Sequence, residues 1–503
     1  MAKKVNKAVE PKQRGRKTDT AKKDKMVLAY AKLCKLLGKY PSRIEFCDGT
    51  EYTKDMLAHY HSSLGELKKK AKEKYPEYFT GVLNESIFHP KALRELNSVI
   101  RGAKRFVVTT AVTGCPVDKN FMGAIQTYCK EMNAELLVLI ASDPAARASK
   151  DFIDSAIPSS AIVVDDVSIN ENIHLNTIKL SAKHIDPITS LTRIGHRQGG
   201  FIYASPKQRL KFMPTARVQY THAIMTTGAI TAPNYGTDKY MSDRTAHIAE
   251  HDHVMGAVIV EIKDKKKYFF RQIQADTDGS FVDLGVKYDK LGSEEYLPEA
   301  FVLGDWHSGE TDPVARRCWE EVCKLLKPKY LVLHDAFNGL SINHHEEYNT
   351  ILLAQRAMEG KLDLQREMKD LAKDITDLSK LVDEIIMVKS NHDEFLTRYL
   401  QDGKYVKDPI NHRYALDLAK AMLDGEDPLK FALSNACNVS KVKFLIRDEN
   451  FMVGGVQLGA HGDKGSNGAR GGIKSLESAY GNSVTGHSHS PEILRGAWVV
   501  GTS

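Results

Sequence analysis

Between residues 301 and 489, five short strings of acid, amide and imidazole side chains each close an apolar, strand-like run. Asp305 and His307 follow the run from Phe301; His334, Asp335 and Asn338 follow the run from Tyr330. Asn391, His392 and Asp393 follow Glu384–Val388, His461 and Asp463 follow the run from Gly455, and His487 and His489 follow the run from Ser483. Side chains at the carboxyl ends of strands in an α/β sheet converge on one crevice. Aspartate, histidine and asparagine are hard or borderline donors, and no thiolate stands among them. That set suits Mn²⁺, Mg²⁺, Fe or Zn²⁺ rather than a soft metal.

Positioning these groups takes an alternation of strand and helix over residues 296–503. One helix is explicit over 362–382, where Leu364, Met368, Leu371, Ile375, Leu378 and Val382 make a heptad seam. The seam either covers a sheet or forms a short coiled-coil contact. Residues 90–295 read as a mixed α/β domain of unassigned role. Within it, a strand run from Arg105 to Ala111, an amphipathic helix from Phe121 to Met132 and a buried strand from Glu135 to Ala141 have the spacing of a parallel βαβ unit. No GxGxxG or P-loop lysine follows the first strand, so no nucleotide fingerprint is present. Val258–Ile262 and Tyr268–Gln274 flank a lysine-rich turn, and Phe281–Tyr288 follows Asp278 and Gly279, both hairpin signals. Residues 26–85 read as a small helical domain. Gly38 and Pro41 stop its first helix, Thr53 caps the second, and the third follows Ser62 and Ser63.

Residues 1–25 read as a basic disordered tail. Ten Lys/Arg stand there against three acids, an excess equal to the whole chain's formal net charge of +7. A short polycation binds polyphosphate by releasing counterions and without reading sequence; the blander alternative is a solubilising tail. The candidate nucleic-acid contacts are Lys3, Lys4, Arg14, Arg16 and Lys17, with Lys68, Lys69 and Lys70 on the third helix. Basic and aromatic residues also interleave at Arg193–Arg197 and Phe201–Lys211, as a nucleic-acid surface or as a solvated strand face. The seven cysteines are scattered without a CxxC pair, which argues against a disulfide framework or a cysteine zinc site and fits the reducing cytoplasm. No apolar run reaches the ~18–20 residues that span a bilayer, and the N-terminus has no secretory apolar core.

In this order the five strings resemble the calcineurin-like metallophosphoesterases, whose pattern is DxH, GDxxDxG, GNHD/E, GH and GHxH. The resemblance implies a metallophosphoesterase β-sandwich flanked by helices over 296–503. It implies two divalent metals, with Mn²⁺ the family-based choice: Asp305, His307 and His489 on one, Asn391, His461 and His487 on the other, and Asp335 bridging both. Such cations stand ~3.5–4 Å apart, and a hydroxide bridging them attacks phosphorus in line. His392 takes the place of the family histidine that stabilises the transition state or protonates the leaving oxygen. Asp393 is a second catalytic candidate, and Asp393 or Asp463 also fits an orienting role beside a ring.

The sequence departs from the family pattern without losing a ligand. His334, Ser390 and Ala460 replace glycines, and Asn338 stands where the family often has aspartate. The chain ends at Ser503 just after a strand run; either the substrate-capping segment of many nuclease relatives is missing or the protein continues further. His247, Glu250 and His251, followed by Asp252 and His253, match a short HxxEH zinc-protease string in a chain with 19 histidines, and a structural or interface role is the expectation there. His344, His345, Glu346 and Glu347 either rim the site or form a solvated loop. Cys318 and Cys323 are expected on a helix under the site.

Phosphoprotein phosphatases of this superfamily read GNHE and carry an arginine after the second-motif aspartate. Here Asp393 follows His392, and Asn338–Leu340 has no arginine. The strings look closer to the SbcD-like DNA repair nucleases, and the N-terminal 295 residues resemble the early-expressed, host-DNA-degrading metallophosphoesterases of tailed phages. The expected function is a two-metal-dependent DNase with DNA as partner and no membrane. A phosphomonoesterase or protein phosphatase, a nucleotide phosphodiesterase, an adaptor with a vestigial metal site, and a homo-oligomer through the 362–382 seam stay open.

Overall fold

The computed structural model describes residues 20–37, 41, 43–61, 63–79, 100, 102–142, 153–180, 184–195, 199–213, 222–235, 243–469 and 471–502. The chain divides into two units, Met1–His89 with Ala148–Phe152, and Pro90–Arg147 with Ile153–Ser503.

The first unit holds helices Thr20–Leu37, Arg43–Asp48, Lys54–Tyr60 and Leu64–Lys74. Thr53 and Ser63 cap the last two, accepting from the backbone N–H groups of Met56 (3.3 Å) and Glu66 (3.1 Å). Met26, Tyr30, Cys34, Phe46, Leu57, Leu67 and Ala71 form the core. The first helix begins at Thr20, inside the stretch expected to be a disordered tail. Lys22, Lys23 and Lys25 are therefore helical: the apolar face that starts at Met26 supports a further turn and more of helix ahead of it.

In the second unit, β1 (Arg105–Val112) and β2 (Glu135–Ala141) pair in parallel across helix Lys119–Met132, as the βαβ spacing implies. Strands β3 (Val167–Asn170), β4 (Ile173–Asn176), β5 (Gly200–Tyr203), β6 (Arg209–Met213) and β7 (His222–Thr226) lie in another sheet. The hairpin of β8 (Gly256–Ile262) and β9 (Tyr268–Gln274) completes the first sheet in the order β2-β1-β8-β9. A small antiparallel sheet follows, of β10 (Phe281–Asp283), β11 (Val286–Tyr288) and β12 (Ser293–Glu295). β13 (Ala300–Asp305), β14 (Tyr330–His334), β15 (Glu384–Met387) and β16 (Val442–Phe444) form a wholly parallel sheet in that order. β17 (Met452–Val453), β18 (Val456–Gln457), β19 (Ser483–Thr485), β20 (Glu492–Leu494) and β21 (Ala497–Val499) join the other sheet, which reads β17-β18-β19-β21-β20-β6-β7-β5-β4-β3.

The parallel sheet is buried on both faces, the usual condition of such sheets. Leu331, Leu333, Ile385 and Met387 point toward helices and share a core with Leu364, Met368, Leu371, Ile375 and Leu378. Val332 and Ile386 point the other way, with Val388, Leu445 and Leu458, against Val484 of β19. The heptad seam is thus consumed inside the chain and does not form the coiled-coil contact that was one of its two readings. Its helix is Leu364–Leu378, shorter than expected; Val382 lies beyond its end yet still packs into the same core.

Residues on either side of position 295 share one sheet, because β20 pairs antiparallel with β6, Ile493 opposite Leu210. The Arg209 guanidinium pairs with Glu492 (3.0 Å) across this ladder and with Asp186 (3.2 Å) between β4 and β5. Phe201, Tyr203, Lys207 and Arg209 are buried, so within Phe201–Lys211 these residues are packed inside rather than on a solvated or nucleic-acid-binding face, while Arg193 is exposed and Arg197 lies outside the described residues. Among the described residues no helix is long and apolar enough to cross a membrane.

Candidate metal centre

All five strings emerge from strand ends: Asp305 from β13, Asp335 from β14, Asn391 from β15, His461 from β18 and His487 from β19. The first two loops are zipped together. The N–H groups of Trp306, His307 and Ser308 donate to the carbonyls of His334 (2.9 Å), Asp335 (2.8 Å) and Ala336 (3.2 Å). Asp374 fixes the first loop from the seam helix, accepting from Trp306 Nε1 (3.1 Å), Ser308 Oγ (2.7 Å) and Arg316 (2.8 Å). The last loop is tied to the first: His487 N–H donates to Asp305 Oδ1 at 3.0 Å. A Cβ on Gly486 would stand 2.2 Å from that same oxygen, so only glycine fits there. His307, Asp335 and His487 have φ of 43°, 45° and 64°. Non-glycine residues seldom adopt this left-handed backbone, and such strain clusters at functional sites.

The side chains converge. Ligand atoms of Asp305, His307 and His489 lie within 4.8 Å of one another, as do those of Asp305, Asp335 and His461, and those of His307, Asp335 and His392. His307 Nε2 is 3.3 Å from His489 Nε2, and His489 Nε2 is 3.7 Å from Asp305 Oδ2. On the other side, Asn391 Oδ1 lies 3.0 Å from His461 Nε2 and 3.1 Å from His487 Nδ1. Asp335 stands between the two sets, its Oδ2 3.3 Å from His461 Nε2 and 3.9 Å from His307 Nε2. The site grades from fully buried His461 to exposed His489. Asp305 Oδ2 and Asp335 Oδ1 are buried and have no hydrogen-bond partner.

Two carboxylates in so dry a pocket repel each other. Burial and the nearby Asp335 push Asp305 up to about 7. Burial acts the same way on Asp335, but the hydrogen bond and charge of His461 outweigh it and hold Asp335 below the ordinary carboxylate range. Burial holds His307 down to about 4, so its ring is neutral and its nitrogens are available to a metal. Buried carboxylate oxygens without donors, ringed by imidazole nitrogens and an amide oxygen, fit divalent cations of the hard or borderline kind.

His392 bonds Asn338 O through Nδ1 at 2.6 Å. A carbonyl only accepts, so Nδ1 carries the hydrogen and Nε2 is the nitrogen left for the pocket. Asp393, the second catalytic candidate, is turned into its own loop. It is buried, it accepts from Ser390 N–H (2.9 Å), and Ser390 Oγ accepts from Asp393 N–H (3.2 Å), a reciprocal pair that grips the loop carrying Asn391 and His392. Asp463 pairs with Arg447 rather than orienting a histidine ring. Asp374 escaped the sequence reading, because an acid one position before the seam residue Ile375 looks like part of a solvated helix face.

The remaining candidates lie elsewhere. Lys69 is exposed on helix Leu64–Lys74, Lys68 is half-buried, and Lys70 pairs with Glu66. Lys3, Lys4, Arg14, Arg16 and Lys17 lie outside the described residues. His247 and His251 are largely exposed on helix Asp243–His251, and among the described residues no metal-binding group of three forms there. Cys323 is buried and Cys318 exposed on helix Pro313–Leu326.

No protein-family profile matches the chain, and no solved structure matches it. The chain is similar to Protein A1 of Escherichia phage T5, 25% identical over 525 aligned residues that cover 96% of this chain and 92% of that protein.

Proposed function

We propose that the chain is a metal-dependent DNA phosphodiesterase of the calcineurin-like metallophosphoesterase type, close to the SbcD-like nucleases. It would act on host DNA in the cytoplasm of a phage-infected cell. One observation carries the reading: Asp335 lies between two donor sets, within 3.9 Å of His307 on one side and 3.3 Å of His461 on the other. That is the placement expected of a carboxylate shared by two cations. The similarity to a phage protein supports the setting.

Asp305, His307 and His489 would hold one cation, Asn391, His461 and His487 the second, with Asp335 common to both; Mn²⁺ is the first choice. When bound, the cations would neutralise phosphodiester charge and supply a nucleophile at neutral pH. His392 Nε2 would face the phosphorus and carry a proton to the leaving oxygen, its ring fixed by Asn338 O. Ser390 and Asp393 keep that loop in place.

The test is cleavage of plasmid and linear DNA with MnCl₂ and with EDTA. Cleavage is expected only with the metal, and His392→Ala is expected to retain Mn²⁺ binding by calorimetry while losing cleavage. Turnover of a phosphomonoester without DNA cleavage would replace this reading by a phosphatase. Biological activity that survives both Asp335→Ala and His392→Ala would favour an adaptor.

A further inference from the structure

A track of rings leads outward from the centre. The His307 and His392 rings are 4.7 Å apart, His392 and Phe395 4.6 Å, Phe395 and His344 4.9 Å, and Phe395 and His345 5.6 Å. Phe395 is buried and makes the floor; His345 is exposed and offers its ring to whatever enters. Arg398, three residues beyond Phe395 and so on the same side of its helix, is exposed and donates to His344 Nε2 at 2.7 Å. Accepting that bond requires a neutral His344, and burial with the adjacent His345 and Arg398 holds this ring below its ordinary value.

The nearby cations differ in their partners. Lys404 pairs with Glu347 (2.5 Å) and Arg356 with Glu346 (2.6 Å). Arg398 has no carboxylate partner among the described residues, and one bond to His344 leaves most of its five donors open. An unpaired guanidinium beside an exposed ring matches a nucleotide, with phosphate against the fork and base against the π-face. The loop that carries His344 and His345 follows the Asp335 string, and Phe395 and Arg398 follow the Asn391 string, so both halves of this wall are anchored to the centre.

Building on the proposed function, we propose that His345 and Arg398 form a subsite for the nucleotide next to the scissile phosphate, its base on His345 and its phosphate on Arg398. A base inside a duplex must first leave its stack before it can lie on a side chain. The subsite therefore favours unpaired strands over intact duplex.

The experiment uses the full chain with MnCl₂ and three substrates: a single-stranded oligonucleotide, the same sequence as a blunt duplex, and bis(p-nitrophenyl) phosphate, which has no neighbouring nucleotide. For His345→Ala and for Arg398→Ala, the ratio of kcat/KM on the single strand to that on the small diester is expected to fall about tenfold, the scale of one lost base–aromatic stack. The fall should lie in KM. His345→Phe, which keeps a ring, should restore most of it, which a folding defect would not allow. The subsite is overturned if both alanine variants keep the parental ratio, or if the small diester and the oligonucleotide lose equally. In either case DNA cleavage by the parent leaves the proposed function standing. A parent that hydrolyses the small diester and neither DNA sinks both.

Discussion

Two regions of the second unit are built from the same residue types and do opposite things with them. Around Asp335, acids and imidazoles converge with donors and acceptors left over. Around Asp252 every group is answered. Asp252 takes Lys207 Nζ at 2.8 Å and Arg495 Nε at 3.5 Å, and His253 bonds Tyr235 OH at 2.6 Å and Thr231 O at 2.8 Å. A cavity of about 590 Å³ lies alongside, where Ala232, Pro233, Val254 and Met255 share the lining with His253 and Arg495, and Arg495 is already held by Glu477. Composition therefore does not make a site. The difference is in the backbone: parallel strand ends and left-handed residues aim side chains at one point, whereas a helix such as Asp243–His251 spreads them over its surface.

The sharpest way to break this contrast is to remove one acid from each region. Asp335→Ala should abolish cation binding and lower cleavage by about a thousandfold or more. Asp252→Ala should leave the cations bound per chain unchanged and destabilise the protein by about 3–5 kcal/mol, because Lys207 is left buried without its partner. Metal stoichiometry and thermal unfolding read the two effects; loss of metal in folded Asp252→Ala would erase the distinction.

Gly486→Ala should come next. Its Cβ collides with Asp305 Oδ1, and cation affinity is expected to fall about 10–100-fold by calorimetry. An unchanged affinity would mean that the last loop is free to move away from Asp305.

Acidity offers a finer probe. Because Asp305 titrates near 7 when folded and near 4 when unfolded, folding without metal takes up a proton between those values. The stability from this group is full below pH ~4 and is lost as pH rises through ~7. In EDTA, the melting temperature of the parent should fall relative to Asp305→Asn between pH 5 and pH 8, and Mn²⁺ should reverse the trend. A pH-independent difference in EDTA would contradict the repulsion described for the two carboxylates. The smallest effect belongs to the double change His247→Ala, His251→Ala, which should alter neither metal content nor stability by more than about 0.5 kcal/mol.

The convergence of acid and imidazole side chains was legible because each string couples an apolar strand with the donors that follow it, and a strand end is a local signal. The βαβ unit, the β8–β9 hairpin and the capped helices at Thr53 and Ser63 were legible for the same reason. What could not be read was long-range. Nothing local announces that Ile493 will pair with Leu210, or that Asp374 will hold Trp306 and Ser308. The left-handed backbone at His307, Asp335 and His487 was equally silent, since glycine is the residue that normally marks it. Arg209 and Lys207 misled for another reason: basic residues beside aromatics suggest a surface until buried acids from distant segments are seen to neutralise them.

The β20–β6 ladder limits how this chain can be dissected. A fragment starting near residue 296 would keep every proposed ligand but strip β20 of its neighbour, baring a row of unpaired amides and carbonyls beside Ile493 and Leu494. Raw strand edges of that kind recruit other chains and precipitate. The half that carries the candidate metal ligands is thus not a portable module, and insolubility of such a fragment would report a missing neighbour rather than a defective centre.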